Sequence, residues 1–151
     1  MICTFPWYND REVFCMGEYV MTTREEAILY CKSFENVVED YPFHDSNWTL
    51  MRHIGNKKTF ACIYEHQNSI WINVKCDPEW RDFWRSAFES IVPAYHMSKE
   101  HWNSIILDRT IPRTDIERMI AESYEITKPK AKKIKKERIG VEYGWYSKNQ
   151  Y

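Results

Sequence analysis

The spacing of apolar residues changes period several times along the chain, and each change marks an element. Thr23 and Glu26 have the spacing of a capping box, and Ala27, Tyr30, Cys31 and Phe34 follow at helical intervals. They predict a short amphipathic helix over residues 24–34. Residues 36–43, broken by Pro42, read as a turn and an extended link. Three strand-like runs come next, at 48–54, 59–64 and 70–76. Gly55-Asn56 joins the first two as a tight hairpin in which glycine would supply a positive φ, and 66–69 is a polar turn. In the third run Ile70, Ile72, Val74 and Cys76 alternate with Trp71, Asn73 and Lys75, which predicts a sheet with one buried face.

Asp77-Pro78-Glu79 suits a helix start, with a cap, a proline at the first position and an acid at the positive end of the dipole. Trp80, Phe83, Trp84, Ala87, Phe88 and Ile91 continue at helical spacing to Pro93 and predict one buried stripe. Residues 102–107 read as a further strand. Thr114 and Glu117 suggest a second capping box, with Ile116, Met119, Ile120, Ser123, Tyr124 and Thr127 as the stripe of a last core helix ended by Pro129. The order is helix, three strands, helix, one or two strands, helix. It predicts an α+β domain of two layers with a mainly antiparallel sheet.

The 151 residues suffice for one domain with a real core, and seven Trp, ten Tyr and seven Phe argue for a folded globule. No apolar run is long enough to span a membrane, and residues 1–20 lack a secretory pattern. The expectation is a cytoplasmic protein with no membrane contact, a monomer. Residues 1–20 read either as an apolar arm or short strand, or as an extension before a start at Met21. The domain proper is expected over 21–127, with a basic and aromatic tail over 128–151.

Charge is divided between body and tail. Residues 1–127 hold 13 Lys/Arg against 20 Asp/Glu, a net −7, while 128–151 hold 8 against 2, a net +6. An acidic body binds duplex only if its cations gather on one surface. Five cysteines without a Cys-x-x-Cys pair argue against a disulfide framework or zinc knuckle. His44, His53, His66, His96 and His101 lack the i, i+4 spacing of a helical metal site, although His96 and His101 could converge across a bend. No nucleophile elbow or glycine-rich phosphate loop occurs. The expectation is therefore no enzyme activity, no metal and no cofactor. Arg52, Lys57 and Lys58 cluster around the first hairpin, Lys75 lies beside Trp71, and His96, Lys99, His101 and Trp102 precede the last strand. On a shared edge they would form a basic patch with aromatic neighbours; scattered, they would be ordinary surface cations.

Several segments together resemble the MmcQ/YjbR family of small bacterial proteins. They are Tyr41-Pro42-Phe43, Lys58-Thr59-Phe60-Ala61, Val74-Lys75-Cys76-Asp77-Pro78-Glu79, the stretch from Val92 to Ser104 containing Pro93-Ala94-Tyr95-His96-Met97-Ser98-Lys99, and Glu122-Ser123-Tyr124. The resemblance covers residues 25–127. It implies a secretion-chaperone-like fold, a curved antiparallel sheet with helices on one side, and binding of double-stranded DNA through a double-wing arrangement of hairpins. Lys75, His96, Lys99, His101 and Trp102 carry over as candidate contacts, with Trp102 favoured as core. The chain departs from the family pattern at Ala94 and Arg109, where glycine is frequent. The alternatives are a protein- or peptide-binding adaptor that uses an exposed sheet face bearing Trp48 and Trp71, and a small-ligand pocket at the corner 95–102.

Overall fold

Local signals set most element boundaries in the computed structural model, which describes residues 20–132. The readings at residues 1–19 and 133–151 lie outside the described residues. The elements are α1 (Arg24–Lys32), β1 (Val37–Asp40), β2 (Thr49–His53), β3 (Thr59–His66), β4 (Ser69–Lys75), α2 (Pro78–Ala87), β5 (Ile91–Pro93), β6 (Trp102–Ile106) and α3 (Arg113–Thr127). The first capping box forms: Thr23 accepts from the Glu26 amide while Glu26 reaches back to the Thr23 amide. Asp77 caps α2 ahead of Pro78.

The strands make one antiparallel sheet in the order β1-β2-β3-β4-β6-β5. One face carries Met51, Ala61, Ile63, Ile72, Val74 and Ile105 against Ala27 and Cys31 of α1, Trp84 of α2, and Ile116, Met119 and Ile120 of α3. This is the two-layer α+β architecture.

The structure corrects five local readings. The link at 36–43 supplies an edge strand, β1, paired with β2 from Val37↔His53 to Asp40↔Leu50. The helical stripe does not run to Ile91: α2 ends at Ala87, and Ile91 enters β5. Only Trp84 of α2 is buried, whereas Trp80 and Phe83 are 45% and 51% exposed. The first hairpin takes its positive φ at Lys57, not Gly55. A Cβ at Gly55 would instead lie 3.0 Å from Pro129 Cγ, so close approach is what favours glycine there. The second capping box is absent; Pro112 precedes α3 without a side-chain cap, and Arg113 ties the first turn through Glu117 at 2.8 Å and Glu26 at 3.3 Å.

The fifth correction concerns the second sheet face, which is not solvent-facing. Trp71 is 8% exposed and Tyr64 and Asn73 are fully buried. The two departures from the family pattern also find reasons. Ala94 is fully buried without a positive φ, so a methyl fits, while Arg109 takes φ 71°, a conformation glycine adopts without steric cost.

Candidate nucleic-acid interface and sheet-face cavity

Register brings the predicted cations to one end of the sheet. The β2–β3 hairpin holds Lys57 and Lys58. Phe60 is the extra residue of a bulge, so that Arg52 pairs with Thr59 and Met51 with Ala61. Lys75 ends β4 directly opposite Trp102 at the start of β6, and the β5–β6 loop bearing His96, Lys99 and His101 closes the same end. α3 terminates there too: Asn56 Nδ2 donates to the Thr127 carbonyl at 2.9 Å, so exposed Lys130 and Lys132 leave beside the hairpin.

Not all of these groups are available. Arg52 is paired with Asp40 at 3.0 Å, and His101 lies 4.0 Å from Glu100. Lys99 Nζ reaches the Ala94 carbonyl at 3.5 Å. Trp102 is half-buried. Among the described residues, the ion pairs do not include Lys57, Lys58, Lys75 or Lys99. The gathered set is thus the four lysines, while Arg52 is neutralised and Trp102 is mostly structural.

The corner that follows β5 is a strap over the second sheet face. His96 adopts φ 58°, and the chain turns back across Asn73 and Ser104, which are register partners. Asn73 Nδ2 donates to the Tyr95 carbonyl at 2.8 Å and the Tyr95 amide donates to Ser104 Oγ at 3.0 Å. Asn73 Oδ1 accepts from Tyr64 at 2.8 Å and Ser104 at 2.5 Å. Such a buried network holds its members rigidly only when all are satisfied. Burial pushes the Tyr64 hydroxyl up to about 12, so it remains a donor across the physiological range. Around it, Trp48 stacks on Tyr64 at 4.1 Å and His66 on Tyr95 at 4.3 Å. His96 therefore faces Trp48, at 6.2 Å. Among the described residues, no three His, Cys, Asp or Glu side chains converge as metal ligands.

Beside this cluster lies a cavity of about 410 Å³. Leu50 and Cys62, partners across β2–β3, form its floor. Trp48, Phe43 and Met97 wall it, and Asp45, Thr59 and His96 supply polar edges. Cys31, Cys62 and Cys76 are buried free thiols, and burial pushes Cys31 and Cys62 up to about 12 and Cys76 to about 11. Reactive thiolates need lowered values, so these three behave as core residues.

The family model described as YjbR matches residues 32–126. The chain belongs to the YjbR family. It is 37% identical to the Uncharacterized protein YyaQ of Bacillus subtilis (strain 168), an alignment covering 72% of this chain and all of that protein. It is 29% identical to the Uncharacterized protein YjbR of Escherichia coli (strain K12), over 68% of this chain and 85% of that one. Two solved structures share the fold. Deinococcus radiodurans DR2400, described as family-model domain DUF419, superposes with a TM-score of 0.66 at 27% identity over 75% of this chain and 84% of that one. A Pseudomonas syringae protein gives 0.63 at 26% identity over 70% and 99%. Among the described residues no helix is long and apolar enough to cross a membrane.

Three features of this YjbR-family structure escaped the sequence reading. Arg81 and Arg85 of α2 clamp the strap. Arg81 donates to the Glu100 carbonyl at 3.0 Å, and Arg85 to Asn103 Oδ1 at 2.7 Å and to the Trp102 and Lys99 carbonyls. Asp45 borders the cavity from the segment between β1 and β2, to which the sequence pattern assigns no role. Ser123 completes the sheet, accepting from the Lys75 amide at 2.8 Å and donating to the Phe60 carbonyl at 2.6 Å. The helical stripe put Ser123 on the buried side, but its long-range partners had no local signal.

Proposed function

We propose that this YjbR-family protein is a non-enzymatic binder of double-stranded DNA that contacts backbone phosphates through Lys57, Lys58, Lys75 and Lys99. The observation that carries the reading is the gathering of these lysines from three separate segments at one sheet end, unpaired among the described residues. Lys130 and Lys132 leave α3 at the same end and extend the positive surface. Asp77, Glu100 and Glu125 lie at this end too, so what the surface offers a polyanion is the lysines that no carboxylate pairs among the described residues, not a field of one sign. His101 follows Lys99 on the same loop and Trp102 supports Lys75 from β6, whereas His96 turns over the sheet face toward Trp48 and is not part of the lysine surface.

The adaptor reading has less support at the sheet face, because Trp71 is buried and Trp48 is stacked on Tyr64. The test is binding of a mixed-sequence duplex across a salt series. Phosphate contacts predict a linear fall of log K with log salt, and each removed contact lowers the slope by about 0.9. Lys57→Ala with Lys75→Ala should flatten it by about 1.8. Binding that is absent at low salt, or a slope unchanged in the double variant, refutes the proposal.

A further inference from the structure

We infer that the sheet-face cavity is a binding site for a small aromatic amine, a ligand class independent of the DNA reading. Its volume, about 410 Å³, falls within the roughly 300–1,000 Å³ typical of small-molecule sites. Its floor is built from buried side chains, Leu50 and Cys62, on two paired strands. A floor on regular strands keeps its shape without a ligand. Trp48 is the wall that favours a flat or cationic group. One face of its indole is stacked on Tyr64 at 4.1 Å, which fixes the ring's orientation beside the cavity.

Charge selects the ligand's polar end. Among the described residues Asp45 is the one carboxylate lining the cavity, and no lysine or arginine lines it. The Asp45 side chain is held by accepting the Asn47 amide through Oδ1 at 2.8 Å, and among the described residues it takes part in no ion pair. A carboxylate beside an indole is the pairing that recognises an ammonium group, through Coulomb attraction and cation–π contact. His96, on the strap, also lines the cavity, with its ring 6.2 Å from that of Trp48. An anionic ligand would meet Asp45 without a compensating cation, so the site discriminates by sign.

The full chain is titrated at pH 8 with three near-isosteric probes: 2-phenylethylamine, 2-phenylethanol and phenylacetate. Binding is followed by backbone amide NMR shifts. The expected result is saturable shifts at residues 43–50, 62 and 96–97, with the amine at least tenfold tighter than phenylacetate. Asp45→Asn retains an acceptor for the Asn47 amide and should bring amine and alcohol to equal affinity. Leu50→Trp, which fills the floor, should abolish binding of all three. Absence of shifts at the cavity, preference for phenylacetate, or an amine preference that survives Asp45→Asn would overturn the inference. Duplex affinity measured on Asp45→Asn is expected to stay within twofold of the parent, which separates failure of this site from failure of the lysine surface.

Discussion

Removal of the Ser123 hydroxyl should destabilise the domain far more than its size suggests. The β3–β4 ladder runs from His66↔Ser69 to Ala61↔Val74 and stops where the bulge displaces Phe60. At that point the Phe60 carbonyl and the Lys75 amide both lose a ladder partner. Ser123, fully buried on α3, satisfies both with one oxygen. Ser123→Ala leaves a donor and an acceptor stranded, each costing about 1–3 kcal/mol when dry. The sum, reduced by partial relaxation and by a few tenths from alanine's helix propensity, is about 2–4 kcal/mol. With an m-value of about 1.5–2 kcal/mol/M, the urea midpoint should fall by roughly 1–2.7 M. Chemical denaturation followed by tryptophan fluorescence measures this, with Ser86→Ala at an exposed position of α2 as control. Hydrogen exchange at the Lys75 amide should accelerate in parallel. A loss below about 0.5 kcal/mol, or unchanged Lys75 protection, would refute the view that α3 completes the sheet.

Three further outcomes follow from the same geometry. Arg85→Ala removes bonds to Asn103 and to the Trp102 and Lys99 carbonyls; it should cost about 2–3 kcal/mol and speed exchange at the Cys76 amide, which donates to His101 at the base of the strap. Arg109→Gly should stabilise by about 0.5–1 kcal/mol, read as a rise in Tm, because relief of the left-handed strain exceeds glycine's added chain entropy; a lowered Tm would count against strain at φ 71°. His53 is buried and shares a hydrogen bond with Thr127 Oγ1 through Nε2 at 2.8 Å, and burial holds its imidazole below the ordinary 6.5. Its contribution is present in full above pH 6.5 and is lost as pH falls through the folded-state value, because the unfolded chain takes up a proton that the folded one resists. Stability should decline by up to about 1.4 kcal/mol per pH unit in that window, and His53→Gln should flatten the decline.

Legibility in the sequence followed the range of the forces involved. The α1 cap, the α2 start and the strands around 50, 60, 72 and 104 depend on neighbours within a few residues, and the pattern showed them. The α2 stripe misled because period alone does not say where a helix stops. Phe88 and Ile91 keep helical spacing, yet Ile91 pairs with Ile105, and that sheet contact is long-range. β1 was missed because Val37-Val38-Glu39-Asp40 has too little alternation to distinguish an edge strand from a link. The clean alternation in β4 implied one wet face, but it did not reveal that the strap 94–97 would return to cover that face. For the candidate interface, the cation types were legible and their convergence was a condition left to the topology. Neutralisation of Arg52 by Asp40 depended on β1 being a strand at all.

The strap also bears on what family membership can transfer. The segments that carry the resemblance are largely consumed by the fold. Tyr95 is locked through its backbone by Asn73 and Ser104, Asp77 caps α2, Ser123 closes the β3–β4 ladder, and Trp102 packs opposite Lys75. A side chain committed to the scaffold must be kept by any chain that folds this way, whatever that chain binds. Binding has to rest on groups the scaffold leaves uncommitted. Lys57 and Lys58 sit on a hairpin whose turn needs only a residue tolerant of φ 58°, and Asp45 needs only an acceptor for Asn47. Two relatives can therefore share the corner and the caps and still differ at these three positions, in which case they share architecture and part company in ligand. Transplanting the hairpin lysines into a relative that lacks them should carry salt-dependent duplex binding with them, whereas substitutions at Asp77 or Ser123, which only cap α2 and close the ladder, should alter stability alone.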